Sequence, residues 1–148
     1  IPIRLSVAGK TKDMVALLDT GNLLVDPLTK TPVVLVEAAA LQDIIPERIA
    51  KLSSAVFAGD FSSCSDWDLD GGWAKRVRLL SFTGVSKTKG FMLGLRPDEL
   101  LIRAHAREEK EPRRILQVLI GLYHPPAAGG ACTQLYQALL PASLMTAE

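Results

Sequence analysis

The stretch MVALLDTGNLLVDPLT, residues 14–29, constrains the fold more than any other part of the chain. Five mostly apolar residues run straight into an acid, Thr-Gly follows, and the chain then turns apolar again. The buried end of a strand is a poor place for a carboxylate, because desolvating a charge is costly unless it is paired or neutralised. Asp19 is therefore either a surface turn residue or an acid whose awkward position is its purpose. Either way a strand must end there, and Gly21 lets the chain turn tightly beyond it.

The surroundings read as a mainly β chain. Ile1, Ile3, Leu5 and Val7 alternate with polar or small residues, the period of a half-buried strand. Gly9-Lys10 reads as a turn and residues 12–18 as a second strand, so an N-terminal hairpin delivers Asp19 at its far end. Asp26-Pro27-Leu28-Thr29 is a turn signal in which Asp can cap the backbone beyond it. Residues 32–36, PVVLV, form the next strand. Residues 38–41 favour a short helix, and Pro46 opens another at an acceptable position. Residues 53–72, rich in Gly, Ser and Asp, read as a long irregular loop.

Strand structure is expected again over residues 73–80, and RVRLLSFTGVSKTKGFMLGLRPDELLIR reads as a long hairpin with its tip between Thr83 and Gly90. The charged run over residues 107–114 reads as a solvated loop. ILQVLIGLY, residues 115–123, is expected as one fully buried strand, broken by His124-Pro125-Pro126. A last apolar segment spans residues 135–145, divided by Pro141. Short strands, turns and no internal repeat predict one small closed β domain over residues 1–148, with one or two short helices.

Composition narrows the function classes. With 148 residues, 48% of them apolar, the chain can bury a real core. A formal charge of +1, from 17 basic and 16 acidic side chains, provides no broad field for nucleic acid or an anionic membrane. Cys64 and Cys132 lie far apart without C-x-x-C spacing, so neither a disulfide framework nor a zinc site is written here, and reduced thiols are expected. No run approaches the roughly 20 apolar residues of a membrane helix. An opening in mid-strand without an initiator methionine reads as a domain taken from something longer.

Aspartic peptidases place their catalytic acid in Asp-Thr-Gly or Asp-Ser-Gly after an apolar strand, for physical reasons. Gly permits close backbone approach, the hydroxyl can brace the loop, and the strand fixes where the carboxylate points. Two such carboxylates brought together cannot both ionise, so they share a proton; one acts as base on a water while the other donates to the substrate carbonyl. The motif alone is equally a strand followed by an Asp-initiated turn.

More is carried by LLDTGNLLVDPLTKTPVVLVE, residues 17–37, which resembles the sporulation sigma-E factor-processing peptidases, membrane-anchored aspartic peptidases of endospore-forming bacteria. GFMLGLRPDELLI, residues 90–102, and YQALLPASL, residues 136–144, resemble the same family in the same order. The resemblance implies a retroviral-type (retropepsin-like) closed β-barrel fold working as a homodimer, each chain supplying one aspartate. One Asp-(Ser/Thr)-Gly and no second fits that requirement independently. It further implies Asp19 as catalytic carboxylate, Thr20 as bracing hydroxyl and Gly21 as turn residue, with Asn22 following in an open role. The hairpin around residues 78–95 becomes the candidate flap over an extended substrate, with Phe82, Thr83, Gly84 and Gly90 at or near its tip, although a plain surface hairpin fits the same pattern.

The family's apolar-apolar-Gly strand behind the aspartate loop is matched literally by Leu119-Ile120-Gly121. The order of segments favours Ala138-Leu139-Leu140-Pro141 instead, with Pro141 where Gly is usual. The implied whole is a peptidase domain on the cytoplasmic side of the cell membrane, tethered through an N-terminal region missing here. It would remove the pro-sequence of a sporulation sigma factor when a spore-derived signalling protein acts on it, without metal or cofactor.

Other candidates are weaker. Residues 66–71, DWDLDG, match half an EF-hand loop, but Val77 stands where the bidentate Glu is required. His105 and His124 lack partners at metal or triad spacing and read as solvated loop or strand-end histidines. Acidic neighbours argue against Cys64 as a nucleophile, and Gly129-Gly130 opens no phosphate-binding helix. The rival reading is a non-catalytic binding or regulatory β domain of a membrane sensor, separated from the first by whether Asp19 sits at a dyad.

Overall fold

The alternation at the start of the chain becomes strand β1 (Pro2–Val7), whose Ile3, Leu5 and Val7 are buried. It pairs antiparallel with β2 (Lys10–Asp19) through a two-residue turn at Ala8 and Gly9, where both residues have positive φ (52° and 81°). Positive φ at both positions matches the twist of a tight hairpin. The computed structural model describes residues 1–22, 24–62, 72–83, 89–103, 112–125 and 136–146.

β2 is long because it serves two partners. Its first half pairs with β1; its second half runs parallel to β9 (Ala138–Pro141), with Ala16 opposite Ala138 and Asp19 opposite Pro141. β9 also pairs antiparallel with β3 (Val33–Glu37), Leu35 facing Leu139, so it is inserted between the strand before the Asp19 loop and the strand after it. Of the two segments considered for the place behind that loop, Ala138–Pro141 therefore occupies it. Leu119-Ile120-Gly121 lies one strand away, in β8 (Leu119–Tyr123), parallel to β3.

Beyond β8 come β5 (Lys89–Leu95) and then β4 (Val77–Thr83), joined as the expected hairpin with Thr83 opposite Lys89. On the other side β1 pairs with β6 (Glu99–Ile102), and β6 with β7 (Arg113–Ile115). The order is β4-β5-β8-β3-β9-β2-β1-β6-β7, one mainly β sheet curled into a half-barrel. Its concave side buries a continuous core that joins Leu5 and Val7 of β1 to Leu93 and Leu95 of β5. Helix α1 (Glu47–Phe57) closes that core with Ile49, Leu52 and Val56, spaced to share one helix face.

Several boundaries differ from the sequence reading. Residues 53–57, read as loop, are the last turns of α1, and residues 73–76, read as strand, form the short helix α2 (Trp73–Arg76). The expected single strand over residues 115–123 is broken: β7 ends at Ile115, Leu116 is 57% exposed, and β8 begins at Leu119. The chain must leave the β6 side of the sheet and cross to β3 there, so Leu116, Gln117 and Val118 are spent on the crossing. The segment over residues 38–41 is a 3₁₀ turn, and a short helix α3 (Ser143–Thr146) follows β9. Gly84, Cys64, Cys132, His105, Gly129-Gly130, the hairpin tip and the Asp-rich residues 66–71 lie outside the described residues.

Candidate active site

Residues 19–22 form a tight turn closed by the Asn22 N–H donating to the Asp19 carbonyl at 3.1 Å. The Gly21 N–H donates to Asp19 Oδ1 at 3.0 Å, which fixes the carboxylate over its own loop. A Cβ at Gly21 would lie 3.3 Å from the same oxygen, so glycine keeps that approach open. Asp19 is half-exposed in the single chain.

The bracing of the loop comes from Asn22. Its side chain is buried, with Nδ2 donating to the Val33 carbonyl at 3.2 Å and, more weakly, to the Leu139 carbonyl at 3.5 Å. Its Oδ1 accepts from the Leu24 N–H at 3.1 Å. One amide thus ties the loop to β3 and β9 where those two strands part. The Thr20 side chain, expected to brace the loop, is exposed, and among the described residues its hydroxyl makes no hydrogen bond.

The next turn is as expected and more. Asp26 accepts from the Leu28 N–H at 3.0 Å and is buried, and its second oxygen takes a hydrogen bond from Arg78 Nη1 at 2.9 Å. The Leu28 N–H is the main reason why its carboxyl is held below the usual range; Thr29 and Arg78 act in the same direction and burial opposes them. The ion pair fastens the arm over residues 24–32 to the base of the β4–β5 hairpin.

A groove of about 880 Å³ opens between that arm, the hairpin and the sheet. Asp19, Gly21 and Asn22 stand at one end; Leu24, Val25, Leu35, Phe57, Phe91 and Met92 give it apolar walls. Phe82 and Thr83 of the hairpin line it, as do Ser81, Lys89 and Tyr123. Gly90 sits under the ring of Phe82: an added Cβ would come within 2.5 Å of Cζ, so any larger residue here must displace that ring.

Two features escaped the sequence reading. Phe57, at the end of α1, lines the groove, although its segment read as loop. His124 does follow a strand end, after Tyr123 of β8, but it is partly buried rather than solvated, and its Nε2 lies 2.8 Å from Oγ of the fully buried Ser53. Burial pushes its imidazole below the ordinary histidine range. The spacing of Ser53 and Phe57, four residues apart, would have placed both on one face had the helix been extended that far. Among the described residues no cluster of three metal-ligating side chains occurs and no helix is long and apolar enough to cross a membrane.

The profile of the family described as "Sporulation factor SpoIIGA" matches residues 1–144. The chain is 34% identical over 124 residues to the sporulation sigma-E factor-processing peptidase of Priestia megaterium, an alignment covering 84% of this chain and 38% of that protein. It is 26% identical over 102 residues to the peptidase of the same name from Bacillus subtilis, covering 69% of this chain and 32% of that one. The chain thus spans about a third of the length of these two relatives. No solved structure matches it.

Proposed function

Because the chain belongs to the SpoIIGA family of sporulation peptidases, we propose that it is an aspartic endopeptidase that cuts the pro-sequence from a sporulation sigma factor, pro-sigma-E, with Asp19 as its catalytic acid. The carrying observation is the position of Asp19: strand β2 ends there, and Asp19 lines a largely apolar groove together with Ser81, Phe82 and Thr83 of the hairpin. An extended peptide fits such a groove by pairing its backbone with strand edges and placing alternate side chains in pockets.

One chain holds one Asp-Thr-Gly, so the active form is a retroviral-type homodimer in which two Asp19 carboxylates meet. Held together they share one proton; the ionised member takes a proton from a water as it attacks the scissile carbonyl, and the protonated member donates to the carbonyl oxygen. The surface beside Asp19 suits such a partner, since Val15, Leu17 and Leu18 are 43%, 45% and 40% exposed. Apolar side chains left in water next to a catalytic acid are what a second copy would cover. The exposed Thr20 hydroxyl lies in that same zone and would brace the loop across the dimer. The half-exposure of Asp19 in one chain then describes half a site.

The hairpin acts as the flap, with Phe82 and Thr83 over the substrate. In the longer protein the peptidase domain would hang from a membrane region on the cytoplasmic side and answer to a spore-derived signalling protein. The test is co-expression of the pro-form of the sigma factor with the native sequence, Asp19→Asn and Asp19→Ala. Cleavage by the native protein that both variants lose, with unchanged circular dichroism, is the expected result. Cleavage surviving in Asp19→Ala refutes the assignment, and no cleavage even after fusion to a strong dimeriser favours a binding module.

A further inference from the structure

Helix α1 buries Ile49, Leu52 and Val56 in the core, yet a neighbouring stripe of the same helix does something else. Ser53 bonds His124 at the end of β8, and Phe57, four residues on, packs against that imidazole with ring centroids 5.6 Å apart. On its other side Phe57 stacks on Phe82 of the hairpin, 6.1 Å between centroids and 20° between planes. Held by His124 and Phe82, the Phe57 ring has little freedom to swing away.

This ring lines the groove, and sheet register gives the groove its direction. Leu17, Leu139, Leu35 and Gly121 form one row across β2, β9, β3 and β8. Asp19 lies two residues to one side of that row and Tyr123 two residues to the other. Along the strand direction the two are therefore about four residues apart, roughly 13 Å, and three strand spacings of about 4.8 Å each separate β2 from β8 as well. Met92 and Phe82 lie on the Tyr123 side of that row, and Phe57, which stacks on Phe82, lines the groove with them.

We propose that Phe57 is the specificity-determining residue of this side of the groove, which takes a large apolar side chain, aromatic by preference, from the substrate peptide. The inference rests on the groove being the peptide site of a peptidase. A flat ring held in place by a second ring and a hydrogen-bonded imidazole sets a size limit, because an incoming side chain cannot push it into the core behind. Apolar pockets discriminate by size about 10- to 200-fold per methylene. Truncating Phe57 therefore changes which side chain fits, rather than whether peptide binds.

The test is binding of fluorescein-labelled hexapeptides carrying a reduced, uncleavable central bond, with Ala, Leu, Phe or Trp placed at each position in turn. Affinities are measured by anisotropy for the native chain, Phe57→Ala and Phe57→Leu. The expected result is one position, away from the central bond, at which Phe57→Ala raises Trp over Leu by about tenfold or more relative to the native chain. Phe57→Leu should move that ratio part of the way, and preferences at other positions should stay unchanged. Affinities that fall equally for all peptides in both variants would make Phe57 a purely structural residue and overturn the proposal, as would failure of the native chain to bind any peptide. Selective binding without cleavage of the matching ordinary peptides, even by a dimeriser fusion, would refute the peptidase reading and leave the pocket assignment standing.

Discussion

Replacing Asn22 by alanine tests the account of how the Asp19 loop is held. The substitution removes two well-formed hydrogen bonds, to the Val33 carbonyl and from the Leu24 N–H, and a weaker one to the Leu139 carbonyl. Asn22 is 6% exposed, so water does not simply take its place. Leaving one donor and one acceptor unsatisfied at about 1–2 kcal/mol each gives a loss of about 2–4 kcal/mol. With a urea slope of about 2 kcal/mol per M, the unfolding midpoint should fall by about 1–2 M without a change of slope. Asn22→Asp sharpens the test. It keeps an acceptor for Leu24 but turns the donor towards two carbonyl oxygens into lone pairs, so at neutral pH it should be no more stable than alanine. Urea titration followed by circular dichroism measures both. A loss under about 0.5 kcal/mol for alanine, or an aspartate variant clearly more stable than the alanine one, would refute the bracing role.

Gly90→Ala puts a methyl group into the Phe82 ring and should cost about 1–3 kcal/mol. Adding Phe82→Ala should relieve part of that cost, so the double variant falls short of the sum of the singles in urea titration. Asp26 has its carboxyl depressed in the folded state. Its stabilising contribution is therefore complete above the unfolded carboxyl value of about 3.9 and is lost as pH falls through the lower folded value. Native chain minus Asp26→Asn should differ by about 1–3 kcal/mol and stay flat from pH 5 to 8, then shrink below about pH 4; a difference that grows on acidification contradicts the ion-pair account.

The first three strands, the Asp26 turn and the hairpin were legible because local signals agreed: alternation, turn residues and β-branched runs all pointed one way. The break between β7 and β8 was not, since Leu116-Gln117-Val118 carries no Gly or Pro and the interruption is imposed by crossing the sheet. The end of α1 was missed for a related reason. Ser53 and Ser54 have the composition of a loop, and only the distant His124 explains a serine buried in a helix. At the candidate site, the turn at Asp19 and Gly21 could be read from the motif, because it is local. Asn22 as brace, Arg78 as partner of Asp26 and Phe57 as groove wall depend on residues 11 to 117 positions away or on packing, which no local pattern encodes.

The insertion of β9 between β2 and β3 also sets a clock. Val15 and Gln137, which bond across that junction, are 122 residues apart in the chain. At about 5–20 residues per second of synthesis, the strand that locks the Asp19 loop emerges roughly 6–24 s after the loop itself. Until then Asn22 lacks the Leu139 carbonyl and Asp19 lacks its neighbour Pro141, so a nascent or truncated chain carries the acid without the frame that aims it.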